Sequence, residues 1–312
     1  MTERFKYLTD YEFSGVYVRT REIIGFAAQK GPFDDPLEQR GTAIFYYYPQ
    51  KPSERKWGFR YLGEATGAHV CPAFKPNERW VIVTDDGEVF VVGQGDHDWE
   101  TAISKKPNLF FSKVKSIRKG HAIAVGVRRK VFLRTAANKW IQLDKGLFPQ
   151  GDNTELEDAG FNDIDGFSEN DMYACGGKSD LWHFDGNLWK QINLHTNAVL
   201  ENICCADDGF IYITTNRREI IKGRGEFWEL IEQQETTEVF ESIVSYSGKV
   251  LVSTVSEIYV VDGTKFKSAN LGIPPMNSKA HLAVGDGILV VAGRNEATMF
   301  DGSEWTIILK PE

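Results

Sequence analysis

Residues 166–192 read GFSENDMYACGGKSDLWHFDGNLWKQI. An extended segment ends near Phe167, a polar turn follows at 168–171, and a strand runs over 172–176. After 177–180 comes a third strand at 181–185, then Gly186-Asn187-Leu188, and a last strand opens at Trp189. Short strands joined by tight turns make one small antiparallel sheet.

The unit recurs. Aromatic residues fall at Trp57, Trp99, Trp140, Trp189, Trp228, Phe266 and Trp305, at intervals of 42, 41, 49, 39, 38 and 39 residues. A period near forty with four short strands per unit is the signature of propeller blades. The long interval contains an insertion at 145–162, where Asn153-Thr154-Glu155 is suited to cap a helical turn.

The second strand of each unit is the clearest: 81–84 (VIVT), 122–126 (AIAVG), 172–176 (MYACG), 210–215 (FIYITT), 249–254 (KVLVST) and 288–293 (ILVVAG). These runs are apolar on both faces, as a strand covered on both sides requires. A sheet with one wet face would alternate instead. Asp207-Asp208-Gly209, Ser247-Gly248 and Asp286-Gly287 join first to second strands. Asp185-Gly186, Asp262-Gly263 and Asp301-Gly302 join third to fourth. Such pairs supply the positive φ that tight hairpins demand.

The expected architecture is therefore all-β: a seven-bladed β-propeller of four-stranded antiparallel blades, forming one domain over residues 1–312. The blades lie near 11–63, 64–104, 110–144, 161–195, 199–233, 239–272 and 279–310. The first is the least regular, with strands expected at 15–20, 21–28, 41–49 and 56–63 and a long connection at 29–40. Each blade buries its faces only against neighbours, so the ring must close. Either the last unit keeps its own outer strand at 305–309, or residues 5–8 pair alongside it.

Hydrophobic residues make up 42% of the 312, enough for a large core. A net charge of -8 argues against nucleic acid or an anionic membrane as partner. The first residues, MTERFKYLTDYEF, show no signal-peptide pattern, and no apolar run approaches a bilayer span. Cys71, Cys175, Cys204 and Cys205 have neither metal-ligand spacing nor disulfide density, and read as buried reduced thiols of a cytoplasmic protein. Cys204 and Cys205, adjacent in one strand, point to opposite faces.

No catalytic residue, cofactor site or metal site is expected. G-x-S-x-G, phosphate-loop and H-E-x-x-H motifs do not occur. Asp96-His97-Asp98 reads as a solvated turn, with no second ligand set at a fixed offset. His69, His121, His183, His195 and His281 scatter across blades. Asp85/Asp86 and Asp207/Asp208 are neighbouring turn residues, without the separation that an acid/base pair needs.

The stretch SENDMYACGGKSDLWHFDGNLWKQI, followed by ICCADDGFIYITTNRREIIKGRGEFWELI, resembles the bacterial WD40/YVTN/BNR-like propeller repeat proteins. These carry a blade of the form D-[IV]-Y-A-x-G-G…[IV]-x-x-[FY]-D-G-x-x-W. The likeness is best over 161–309 and weakens before residue 79. Some members of this broad group look like immunity proteins encoded beside secreted antibacterial toxins, which implies a protein-binding role. The contiguous Asp-Gly turns depart from the S-x-D-x-G-x-x-W box of sialidases, and the Trp-Asp and Gly-His signatures of eukaryotic WD repeats are absent.

Turns between second and third strands emerge on one face of a propeller. Here they carry Arg128, Arg129 and Lys130, then Lys178, then Arg217 and Arg218, and finally Arg294, interrupted by Asp85 and Asp86. Connections between blades on that face are acidic: Asp152, Glu155, Glu157, Asp158, Glu232, Glu235 and Glu238. A basic centre within an acidic rim offers charge complementarity to a carboxylate-rich or phosphate-bearing partner.

The expected function is non-enzymatic: a propeller, monomeric apart from its partner, that holds another protein and, as an immunity protein, occludes a toxin's active site. Arg128, Arg129, Lys178, Arg217, Arg218 and Arg294 are the expected contacts. A glycan-binding or glycan-active propeller with an axial pocket is the first alternative, and a scaffold for an endogenous complex is the second. The tryptophans of the D-G-x-x-W turns are read as anchors between blades rather than sugar platforms.

Overall fold

A strand that is apolar on both faces needs a cover on each side, and the chain meets that need by stacking sheets around a ring. The computed structural model describes residues 8, 10–31, 41–63, 67–93, 96–104, 109–147, 160–231 and 236–310. Blade 1 holds β1 (Tyr11–Thr20), β2 (Ile23–Lys30), β3 (Thr42–Tyr47) and β4 (Trp57–Tyr61), with a single 3-10 turn at Ser53–Arg55. Blade 2 holds β5 (His69–Ala73), β6 (Arg79–Val83), β7 (Val89–Gly93) and β8 (Asp96–Glu100). Blade 3 holds β9 (Phe111–Ser116), β10 (Ala122–Gly126), β11 (Lys130–Ala136) and β12 (Lys139–Gln142). Blade 4 holds β13 (Asp163–Ser168), β14 (Asp171–Gly176), β15 (Asp180–Phe184) and β16 (Trp189–Ile192). Blade 5 holds β17 (Leu200–Cys205), β18 (Ile211–Thr215), β19 (Ile220–Arg224) and β20 (Phe227–Ile231). Blade 6 holds β21 (Ser242–Tyr246), β22 (Lys249–Ser253), β23 (Ile258–Asp262) and β24 (Lys265–Ser268). Blade 7 holds β25 (His281–Gly285), β26 (Ile288–Ala292), β27 (Ala297–Phe300) and β28 (Trp305–Leu309).

Each blade is an antiparallel sheet whose strands follow chain order from the axis outward. The seven inner strands touch in sequence around the axis, and β25 meets β1 to close the ring. The fold is thus an all-β seven-bladed propeller.

Strand alternation distributes each sheet between two neighbours. In β10, Ile123 and Val125 pack toward blade 4, while Ala122 and Ala124 pack toward blade 2. Cys204 faces blade 6 and Cys205 faces blade 4, both buried and free, so the adjacent thiols do point to opposite faces. Every seam between blades contains one such apolar cluster.

The outer-strand aromatics anchor blades to one another. Trp189 is 1% exposed among Ile117, Leu147 and Phe161, and its Nε1 donates to the Leu143 carbonyl of blade 3 at 2.8 Å. Trp305 repeats the contact one seam before closure, donating to the Leu271 carbonyl of blade 6 at 2.8 Å. Trp57 and Phe266 are buried, and Trp140 and Trp228 are half-buried. Trp99 is the exception: it is 45% exposed and meets Phe90 with ring centroids 5.0 Å apart.

Two details depart from the sequence expectation. The first strand begins at Tyr11 rather than residue 15, because Tyr11 and Phe13 pack on Phe45 and extend the pairing with β2. Residues 96–98 belong to the outer strand β8 rather than to a turn, since Asp98 and His97 pair with Val91 and Val92. Closure follows the first of the two expected routes: blade 7 keeps its own outer strand β28, and the Phe13 N–H of blade 1 donates to the Arg294 carbonyl of blade 7 at 2.5 Å. Residues 5–7 lie outside the described residues, and Leu8 is a buried turn residue in that seam. The expected cap at 153–155 also lies outside them.

Trp189→Ala is expected to destabilise the protein by about 3–5 kcal/mol, as buried aromatic deletions do. Trp99→Ala should cost under about 1 kcal/mol, as an exposed change does. Denaturant unfolding of both variants checks the contrast; equal losses would contradict the anchoring role.

Candidate functional site

Because all seven inner strands run the same way, the turns between second and third strands share one end of the ring with the connections between blades. Arg128, Lys178, Arg217, Arg218 and Arg294 are exposed in those turns. The first four stand in consecutive blades 3, 4 and 5, and Arg294 stands in blade 7. Arg217 donates from Nη2 to Asn197 Oδ1 at 2.5 Å. Arg294 Nη1 lies 3.9 Å from Glu12 Oε1, across the closing seam.

Arg129 is different. Its Nε donates to both carboxylate oxygens of Asp180, at 3.0 and 2.8 Å, and its guanidinium lies 5.1 Å from the centroid of Trp182. With its side chain only 12% exposed, it ties blade 3 to blade 4. Asp180 is itself buried, so the pair must be kept intact. Lys130 is likewise turned inward, 3.1 Å from Asp144.

The same end exposes apolar groups that charge patterning does not reveal. Phe110 is 53% exposed, Val239 54% and Val255 43%. Glu238 accepts from the Ser256 N–H at 3.1 Å and hydroxyl at 2.8 Å, which holds the segment bearing Val239 to the turn bearing Val255. The usable signal was an apolar residue beside a turn, outside any strand pattern. Of the expected acidic rim, Asp152, Glu155, Glu157, Asp158, Glu232 and Glu235 lie outside the described residues.

Along the axis runs a cavity of about 460 Å³ lined by the inner strands. Its lining includes Tyr17 and Phe74 but no tryptophan, so the sugar-stacking indoles of a glycan pocket are absent from the described lining. Lys115 projects from β9 with its ammonium 3.6 Å from Asp163 and 3.7 Å from Asp165. Burial alone would lower its pKa, but the two carboxylates outweigh burial and push it up. Asp163 also accepts from the Ile203 N–H at 3.1 Å, and Asp165 from the Cys205 N–H at 2.9 Å. These side chains satisfy the open edge of β17 and rivet blades 3, 4 and 5.

The histidines do not converge. His69 Nε2 lies 2.9 Å from Asp85 and 3.0 Å from the Phe111 carbonyl; two acceptors assign the proton to Nε2. His121 pairs with Glu169 at 2.8 Å. His183 pairs with Asp171 at 2.8 Å and stacks on Tyr173 with centroids 4.4 Å apart. Burial, with help from Lys113, pushes the His281 imidazole down to about 4 against a hydrogen bond to Phe13. Chemically, the axis is a set of polar crosslinks, and the exposed cations of the turn end are suited to bind anionic groups.

Two outcomes follow for stability. Lys115→Met leaves Asp163 and Asp165 uncompensated, and should cost about 1–3 kcal/mol, below the full figure for a buried pair because the lysine is 30% exposed. Exposed Lys145→Met serves as the control in the same unfolding titration. For His281, the unfolded state binds the proton more tightly, so stability falls as pH drops from 6.5 toward 4, by about 3 kcal/mol. Calorimetry over pH 4–7 should show that decline flattened in His281→Gln; an unchanged slope would assign the decline to other groups.

No family model matches the chain. The chain is 30% identical over 240 residues to the immune protein Tsi7 of Pseudomonas aeruginosa, covering 75% of this chain and 77% of that one. Among solved structures, YCF48 bound to D1 peptide matches with a TM-score of 0.65 and 12% identity, over 93% of this chain and 91% of that one. Raptor of Chaetomium thermophilum matches with a TM-score of 0.63 and 10% identity, over 98% of this chain and 30% of that one. At such identities the structural matches speak for the fold alone.

Proposed function

The chain belongs to the family of the immune protein Tsi7, and on that premise we propose that it neutralises a bacterial toxin by binding it and covering its active site. It is an immunity-type propeller. The observation that carries the reading is 30% identity to Tsi7 across an alignment spanning 75% of the chain, well beyond a single blade.

The mechanism is steric and electrostatic, with no chemical step. Arg128, Lys178, Arg217, Arg218 and Arg294 engage carboxylates on the toxin, with Phe110, Val239 and Val255 giving apolar contact between them. A ring of packed sheets moves little, so the surface is held ready before the toxin arrives. A stable complex of this kind buries on the order of 1,600 Å². Action in the cytoplasm is part of the same proposal: all four cysteines are free and buried, as a reducing compartment allows.

Co-expression is the direct test. Cells producing the toxin encoded beside this protein should survive only when the protein is present. A scaffold for an endogenous complex would give no protection. With the purified pair, Arg217→Glu combined with Arg218→Glu should weaken binding about tenfold or more, and raised salt should slow association. Affinity unchanged by the double reversal would remove that turn from the interface.

A further inference from the structure

Long cationic side chains hold left-handed backbone at Arg118 (φ 49), Lys119 (φ 58), Arg128 (φ 57), Arg129 (φ 53) and Arg218 (φ 64). Two-residue hairpin turns with positive φ at both positions favour Asn-Gly or Asp-Gly, because a Cβ crowds the backbone there. The ring uses Asp286-Gly287 for the same purpose in blade 7. Arginines in such turns are poor turn formers, so their side chains must be wanted for something else.

For most of them the reason lies within the molecule. Arg118 donates to the Cys205 carbonyl at 3.3 Å and lies 3.7 Å from Asp207. The Lys119 ammonium lies 5.6 Å from the centroid of Phe74. Arg129 is bound to Asp180, and Arg218 also has a partner. Arg128 is exposed, and among the described residues its side chain has no ion pair, hydrogen bond or ring contact.

The turn that carries it is firmly held. The Val127 N–H donates to the Phe110 carbonyl at 2.9 Å, and the Phe161 N–H to the Gly126 carbonyl at 3.0 Å. At Gly126 a Cβ would meet the Phe110 carbonyl oxygen at 2.0 Å, so chain is packed against chain. The Arg129–Asp180 pair fixes the other side. Exposed Phe110 is therefore joined by backbone to the turn, and Lys178 in the next blade is a second exposed cation without an ion pair among the described residues.

We propose that Arg128 is the anchor of the toxin interface, taking a carboxylate of the toxin in a bidentate pair while Phe110 covers an apolar group next to that acid. The planar guanidinium matches a carboxylate fork, and arginine and aromatic residues dominate binding energy at interfaces. An unfavourable turn residue whose side chain has no partner among the described residues is suited to a contact outside the molecule. This inference rests on the immunity reading above.

The test sets stability against affinity. Arg128→Asn should leave the unfolding temperature unchanged or raise it by about 2 °C, since asparagine tolerates the left-handed turn. The same variant should weaken binding to the purified toxin domain encoded beside the protein at least about tenfold, chiefly through faster dissociation. Lys119→Asn, with the same turn chemistry at the opposite end, should bind the toxin normally. Undiminished affinity of Arg128→Asn for a toxin that the wild type binds would overturn the anchor and leave the immunity reading standing. Lost affinity together with a lowered unfolding temperature would make Arg128 a structural residue and overturn it too. Loss of binding to a short DNA duplex, with toxin binding intact, would show the wrong class of partner. A wild type that neither binds nor neutralises the toxin would overturn both readings.

Discussion

Two-sided burial of a radial sheet is the constraint from which the rest of this molecule follows. A blade with both faces apolar cannot stand alone in water, nor can a stack with open ends. Closure of β25 on β1 removes the ends, and each seam then becomes its own small core. The cost of ordering so many short strands is met seam by seam, with small or β-branched residues allowing close approach of neighbouring sheets.

That arrangement decides what charged groups near the axis can do. Inner strands meet only their neighbours at the edge, so their backbone donors need other partners. Asp163 and Asp165 supply them, and Lys115 balances the carboxylates. Glu169 shows the same economy: burial raises its pKa, but the His121 N–H and ring, with Lys75, outweigh that and hold it below the ordinary carboxylate range. Groups so fully occupied by the fold are poorly placed for proton transfer. At the turn end Arg129 is likewise occupied by Asp180, whereas Arg128 and Lys178 are exposed and make no ion pair among the described residues. Membership of the Tsi7 family fits an immunity-type, protein-binding propeller.

Much of the architecture was legible in the chain. Runs such as AIAVG at 122–126 and FIYITT at 210–215 announce strands covered on both faces, and Asp-Gly pairs mark the hairpins. The site was legible only in part. Arg128 and Arg129 are neighbours with the same charge and the same backbone conformation, yet one is open and the other is bound to Asp180, 51 residues away. Charge pattern cannot separate them, because the difference lies in a contact with the next blade. Trp99 and Trp189 occupy equivalent points of the repeat, but Leu147 and Phe161 pack over only the second.

Local residue pattern by itself determined the blades, their turns and the order of strands, because alternation and turn chemistry act within a few residues. It also determined which turns carry cations. Only the folded ring decided which of those cations are spent between blades, which aromatics are covered, and where Phe110 stands in the open. Those outcomes depend on pairs of residues brought together across seams, and nothing in the spacing of a single blade encodes its neighbour.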